Sequence, residues 1–181
     1  IFWNISLFTN WGKNVKLSFN ELKTKAMVIH RTRRQPKVSI TMNGTRLELV
    51  DHFRYLGVII DKKLHWRQHL LHIQTKARQL CTWLTSVARN TWGLNSDVTL
   101  EIYQLAVEPL VLFAVEIWGT ALNFMWATKI LNQIQRNCLL RVCKAYRTVS
   151  HDALCILANV PPLSEKLKNI HFYTLQNQLA N

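Results

Sequence analysis

The chain has 181 residues, 49% apolar and 18% charged, a composition that excludes intrinsic disorder and fits one ordinary domain or two small ones. Lys and Arg number 23 against 10 acids, so a formal charge of +13 favours a polyanionic partner, nucleic acid first; a basic protein without that role, or half of a complex with an acidic partner, stays open. The charge is uneven: residues 1–78 hold 15 basic residues and 4 acids, a net of +11, and residues 79–181 hold 8 and 6, a net of +2. Cys81, Cys138, Cys143 and Cys155 form no C-x-x-C pair and have no histidine at ligand spacing, so they read as small core hydrophobes, with neither a zinc site nor a disulfide framework. That usage fits a reducing compartment, cytoplasm or nucleus. The longest apolar run, LAVEPLVLFAVEIWG, is broken by Glu108, Pro109 and Glu116, so no membrane span is expected, and no signal peptide is visible. The chain opens on Ile1 inside an amphipathic pattern, as a piece of something longer would.

In chain order, residues 1–12 read as the end of a helix closed by Gly12 and Asn14. Val15, Leu17 and Phe19 alternate, residues 20–24 resemble a turn, and AMVIH reads as a short strand. RTRRQPK is a basic loop. Val38, Ile40 and Met42, then Asn43-Gly44, then Leu47 and Leu49 predict a hairpin. HFRYLGVII reads as the next strand, with Asp61-Lys62-Lys63 as its closing turn.

From Trp66 the period becomes helical. Leu70, Ile73, Ala77, Leu80, Cys81, Leu84 and Val87 predict a helix of about six turns, with Lys76, Arg78 and Arg89 on its other face. Residues 90–95 form a turn, and Ser96 is the expected N-cap of a helix that Pro109 must kink or restart. A further helix covers residues 126–143, Ser150 caps a short one that Pro161-Pro162 ends, and the last begins at Ser164. The expected fold class is α+β: a small antiparallel sheet with a hairpin at about residues 15–62, then an all-helical bundle, divided as 1–65 and 66–181.

Few groups here could carry catalysis. Asp51 and Asp61 bracket what reads as a single strand and would lie about 30 Å apart at a rise of about 3.3 Å per residue, too far to share a metal. His65, His69 and His72 have the spacing of one helix face, but no acid or cysteine joins them. Basic side chains are plentiful: Lys13, Lys16, Lys23, Lys25, Arg31, Arg33, Arg34, Lys37, Arg54, Lys62, Lys63, Arg67, Lys76 and Arg78 fall within about sixty-five residues, and as a set they suit phosphate contact.

Three segments in this order, FNELKTKAMVIHR, HFRYLGVIIDKKLHWRQHL and TVSHDALCILANVPPL, resemble the reverse transcriptases of arthropod non-LTR retrotransposons of the jockey and R1 kind. FRYLGVIID is similar to their primer-grip hairpin, motif E. Asn20 with Lys23-Thr24-Lys25 is similar to motif D at the edge of the palm, and VEPLVLFAVEIWGTA to an apolar helix of the same polymerases.

The resemblance implies that Phe53, Tyr55, Leu56 and Gly57 position a primer 3′ end, Gly57 by admitting a phosphate close to the backbone. It implies that Asn20, Lys23, Thr24 and Lys25 lie near departing pyrophosphate. Arg31, Arg33, Arg34, Lys37, Arg54, Lys62, Lys63, Arg67, Lys76 and Arg78 would then meet nucleic-acid backbone, with the helices from Trp66 onward as thumb and connection. The family holds two metal ions, Mg in the intact enzyme, on palm carboxylates preceding motif D, and no such acids occur in this sequence. The expectation is therefore a piece that grips an RNA/DNA or DNA duplex, binds no cofactor itself, and works with the rest of a polyprotein or a protein partner. The alternative is a degenerate helical interaction module without a nucleic-acid role.

Overall fold

The computed structural model describes residues 5–30, 38–87 and 94–179; the predicted basic loop at 31–37, Arg89 and most of the predicted turn at 90–95 lie outside them. The chain divides into two compact units, Ile1–His65 and Trp66–Asn181.

In the first unit, helix α1 (Ile5–Asn14) ends with Lys16 in the left-handed region at φ 58°. That turn lets Leu17 N–H donate to Gly12 O (2.8 Å) and Lys16 N–H to Lys13 O (3.2 Å), the paired bonds of a Schellman closure. The strands form three separate two-stranded ladders: β1 (Lys25–Ala26) pairs in parallel with β4 (Glu48–Leu49), β2 (Thr41–Met42) antiparallel with β3 (Thr45–Arg46), and β5 (His52–Tyr55) antiparallel with β6 (Val58–Asp61). The α+β class stands, with the antiparallel ladders small and one parallel contact added. The Val15–Phe19 alternation gives no strand, and AMVIH contributes only Ala26, next to Lys25, because a strand extends only as far as a partner offers hydrogen bonds and β4 is two residues long. The β2–β3 hairpin forms as predicted: Asn43 (φ 48°) and Gly44 (φ 81°) adopt the double positive φ of a type I′ turn.

HFRYLGVIID is not one strand. Leu56 (φ 45°) and Gly57 (φ 90°) make a second type I′ turn that folds the segment onto itself, with Tyr55 opposite Val58 and His52 opposite Asp61. Glycine tolerates φ 90° without the Cβ clash that other L-residues meet there. The fold-back also overturns the separation expected for Asp51 and Asp61, which now stand at the same end of the hairpin, where Lys62 N–H donates to Asp51 O (3.0 Å).

The second unit is helical. Helix α2 (Arg67–Val87) packs along α6 (Met125–Val142), burying Leu70, Ile73, Ala77, Cys81 and Leu84 on the predicted stripe. Helix α3 (Ser96–Ile102) is capped by Asn95, whose side chain accepts from Val98 N–H (2.8 Å); Ser96, the expected cap, is the first helical residue. Pro109 neither stops nor sharply breaks the helix. A π-helical turn at Tyr103–Val107 precedes α4 (Glu108–Leu112), and its wider ring absorbs the misfit of a residue without an N–H. The true break is at Ala114, φ 55°, before α5 (Val115–Trp118) and a 3₁₀ segment at Gly119–Asn123.

Helix α7 (His151–Leu157) is capped by Ser150 as predicted, its hydroxyl accepting from Ala153 N–H (3.3 Å). Its stop comes before Pro161: Asn159 at φ 52° brings Val160 N–H to Cys155 O (3.0 Å) and Asn159 N–H to Ile156 O (3.1 Å). Helix α8 (Leu163–Leu179) completes the unit, packing on α5 and α6.

The cysteine reading needs correction. Cys81 and Cys138 are buried, as small hydrophobes would be, but they form a disulfide joining α2 to α6, with Cα atoms 5.6 Å apart. Residues 57 apart in sequence give no spacing cue; only the packing of α2 along α6 in parallel, with Arg67 beside Trp126 and Gln74 beside Gln133, aligns them. Among the described residues no single helix is long and apolar enough to cross a membrane. The bent pair Ser96–Leu112 and Val115–Asn123 passes on composition, and it buries Val107, Val111, Val115 and Trp118 in the core.

Candidate nucleic-acid interface

The β5–β6 hairpin positions the predicted grip residues by strand alternation. Phe53, Tyr55, Val58 and Ile60 share one face, on which Val58 is buried and the Phe53 and Tyr55 rings meet edge to face at 6.4 Å. Arg54 lies on the opposite face, exposed. At the tip, Leu56 is 79% exposed although a left-handed backbone at leucine costs about 1 kcal/mol. A bulky apolar residue held in a costly conformation and pointed at solvent adds nothing to the core.

At the base of the hairpin the charges are partly spent. Lys62 Nζ donates to Asp51 Oδ1 at 2.7 Å, and that ammonium holds the Asp51 carboxyl below its usual range. Asp61 Oδ1 accepts from Lys63 N–H (3.1 Å) and His65 N–H (3.2 Å), closing the predicted turn. Both carboxylates are thus engaged within the fold. Among the described residues no group of three or more His, Cys, Asp or Glu is placed to hold a metal ion.

The residues that resemble motif D build a turn. Asn20 Oδ1 accepts from Lys23 N–H (3.1 Å), Thr24 Oγ1 donates to Asn20 O (2.8 Å), and Lys25 pairs with Glu48 across the β1–β4 ladder at 3.4 Å. Lys23 is left exposed there. Nearby, Asn43 Nδ2 donates to Glu21 Oε1 at 2.6 Å and lowers the pKa of that carboxyl.

Of the backbone-contact candidates, Arg31, Arg33, Arg34 and Lys37 lie outside the described residues; Arg54 and Lys63 are exposed in the first unit, and Lys62 is paired. In the helical unit Arg67 is exposed with its guanidinium 5.7 Å from the centre of the Trp126 ring, Lys76 is half-buried, and Arg78 is exposed. The three histidines do not make a ligand set: His65 precedes α2, and His69 is 1% exposed, edge to face with Trp118 at 5.9 Å. Burial, with the nearby His72 and Lys76 charges, lowers the His69 pKa from 6.5 to about 4.

The sequence reading missed what α6 contributes. Arg136 and Arg141 on that helix, Arg147 in the loop after it and Arg78 of α2 line one groove of about 390 Å³ beside the disulfide. No i, i+4 rule joins Arg78 to the others; helix pairing does.

A second cluster looks chemical and is structural. His151 Nε2 lies 3.5 Å from Cys155 Sγ and 2.9 Å from Gln135 Oε1, and its Nδ1 lies 3.2 Å from Asp152 Oδ1. Burial, reinforced by the Asp152 charge, raises the Cys155 pKa, which keeps the thiol protonated and disfavours a nucleophile. Gln135, fully buried, also accepts from Leu163 N–H (2.7 Å) and donates to Pro161 O (2.9 Å), tying α6 to the start of α8.

Over most of its length the chain is homologous in sequence to the polyproteins of arthropod non-LTR retrotransposons of the R1 and jockey groups. In particular, it is 31% identical over 175 residues to an RNA-directed DNA polymerase from the mobile element jockey of Drosophila funebris, covering 93% of this chain and 17% of that protein. It is 26% identical over 155 residues to a retrovirus-related Pol polyprotein from type-1 retrotransposable element R1 of Bradysia coprophila, covering 84% and 15%. It is 29% identical over 160 residues to a putative 115 kDa protein in the type-1 retrotransposable element R1DM of Drosophila melanogaster, covering 88% and 16%. The chain thus spans about a sixth of the length of these relatives. No protein-family profile matches it, and no solved structure matches it.

Proposed function

We propose that the chain is the primer-gripping and thumb portion of a retrotransposon RNA-directed DNA polymerase, holding a primer-template duplex while carboxylates outside this stretch supply the metal site. The observation that carries this reading is the β5–β6 hairpin, whose tip exposes Tyr55 and Leu56 and whose flank exposes Arg54. An apolar tip can rest against a terminal sugar or base while arginine meets the adjacent phosphate. Lys23 of the motif D turn and Lys63 add positive charge in the same unit. The relatives named as RNA-directed DNA polymerases support the same reading. Its setting would be the cytoplasm or nucleus, where such copying takes place.

Fluorescence anisotropy with a labelled RNA/DNA primer-template duplex tests it. Affinity falls steeply as salt rises, because bound phosphates release counterions. R54Q/K63Q weakens binding irrespective of sequence. Affinity indifferent to salt overturns the proposal.

A second reading, a protein-interaction module, rests on α1, where Leu7, Phe8 and Trp11 are exposed on a short amphipathic helix. A chain that ignores duplex and is monodisperse only with a protein partner would favour it.

A further inference from the structure

We infer that the helical unit carries a separate subsite for single-stranded nucleic acid, phosphates on a four-arginine groove and an unpaired base against Phe124. It rests on the nucleic-acid reading above and adds a strand that the hairpin does not hold.

Arg78, Arg136, Arg141 and Arg147 come from three segments to line the α2–α6 groove, and among the described residues none of the four is in an ion pair. Arg136 is anchored: its Nη2 donates to Arg147 O and to Val149 O (2.9 Å). Both acceptors are neutral carbonyls, so the guanidinium keeps its full charge. Four uncompensated guanidiniums in one groove repel one another, and an anion relieves that repulsion, phosphate best by geometry.

Arg136 also lines a second, mostly apolar groove of about 670 Å³ with Phe124, Trp126 and Lys129. Among the described residues no carboxylate lines either groove. Trp126 is flanked by Phe124, nearly parallel at 19° and 6.1 Å, and by Arg67. Phe124 is 49% exposed, leaving ring surface for a base. A basic groove that shares Arg136 with an aromatic one suits a strand whose bases are unpaired, because a duplex buries its base faces in its own stack. Three of the four arginines come from residues 79–181, whose net charge of +2 conceals the site.

The test uses the whole chain with a labelled 12-nucleotide single strand and a 12-base-pair duplex. For the single strand, R78Q/R141Q/R147Q makes the plot of log affinity against log salt shallower by about 2, three contacts at roughly 0.7 each. Arg136 is left in place because it anchors the loop. F124A lowers single-strand affinity about tenfold, within the range for one lost stacking contact, and leaves duplex affinity unchanged. Circular dichroism confirms that both variants fold. If the wild-type chain binds duplex with normal salt dependence but the arginine variant keeps the wild-type single-strand slope, the subsite is wrong and the proposed function survives. If F124A weakens both ligands alike, the single-strand assignment is overturned. Wild-type binding that ignores salt for both ligands overturns the subsite together with the reading it rests on.

Discussion

His69 sets a pH dependence that can be worked from its environment. Its ring is buried between α2 and the Trp118 indole, and its pKa falls from 6.5 to about 4. Because the folded pKa is depressed, the unfolded chain binds the proton more readily. The stability from keeping His69 neutral is fully present above pH 6.5 and is lost as pH falls towards 4. Linkage puts the loss at about 2 kcal/mol by pH 5 and about 3 kcal/mol by pH 4. Urea unfolding between pH 7 and 4.5, followed by tryptophan fluorescence, measures it when wild type is compared with H69F. Phenylalanine retains an aromatic edge for Trp118 and cannot titrate, so the variant's stability falls by about 2 kcal/mol less than wild type between pH 7 and 5, whatever its starting value. Parallel curves for the two proteins would refute the reasoning, as would an NMR titration placing the His69 pKa near 6.5.

Gln135→Leu removes the acceptor for Leu163 N–H, a partner of His151 and the donor to Pro161 O in a fully buried site, and should cost about 2–4 kcal/mol in urea unfolding. Leu56→Asn relieves the left-handed strain at the hairpin tip, so it should raise stability by up to about 1 kcal/mol while weakening duplex affinity; unchanged affinity would remove Leu56 from the contact. Reducing the Cys81–Cys138 bond frees a loop of 57 residues, and the chain-entropy estimate is a loss of about 4 kcal/mol; a non-reduced mass showing four free thiols would contradict the bond itself.

Where the sequence was read correctly, the cause was local. The stripe from Leu70 to Leu84 repeats at helical period, Asn43-Gly44 supplies the two positive φ values of a tight hairpin turn, and Ser150 precedes a helix it can cap. The errors are also physical. Leu56-Gly57 turns as tightly as Asn43-Gly44, but leucine gives no turn cue, so the residue pattern alone reads as one strand where two pair, while the resemblance to motif E implies the hairpin; Gly57 in the middle of an apolar run is the available signal. Asn95 took the cap expected of Ser96 because its amide reaches Val98 N–H. Of the candidate site, the hairpin residues were legible through resemblance, whereas the electrostatic state of each lysine was not. Lys25 and Lys62 are held by Glu48 and Asp51, while Arg54 and Lys63 remain open to solvent.

By itself the sequence determined the helices, the basic character and the kinship with R1 and jockey elements, because periodicity, composition and motif order are properties of neighbours along the chain. Tertiary structure decided which distant residues meet. It brought Cys81 to Cys138, folded Asp51 beside Lys62, and gathered Arg136, Arg141 and Arg147, from residues 79–181 with a net charge of only +2, into one groove with Arg78. Net charge counts residues wherever they lie, but the potential a ligand meets depends on which of them share a surface, and that is set by how α2 packs on α6.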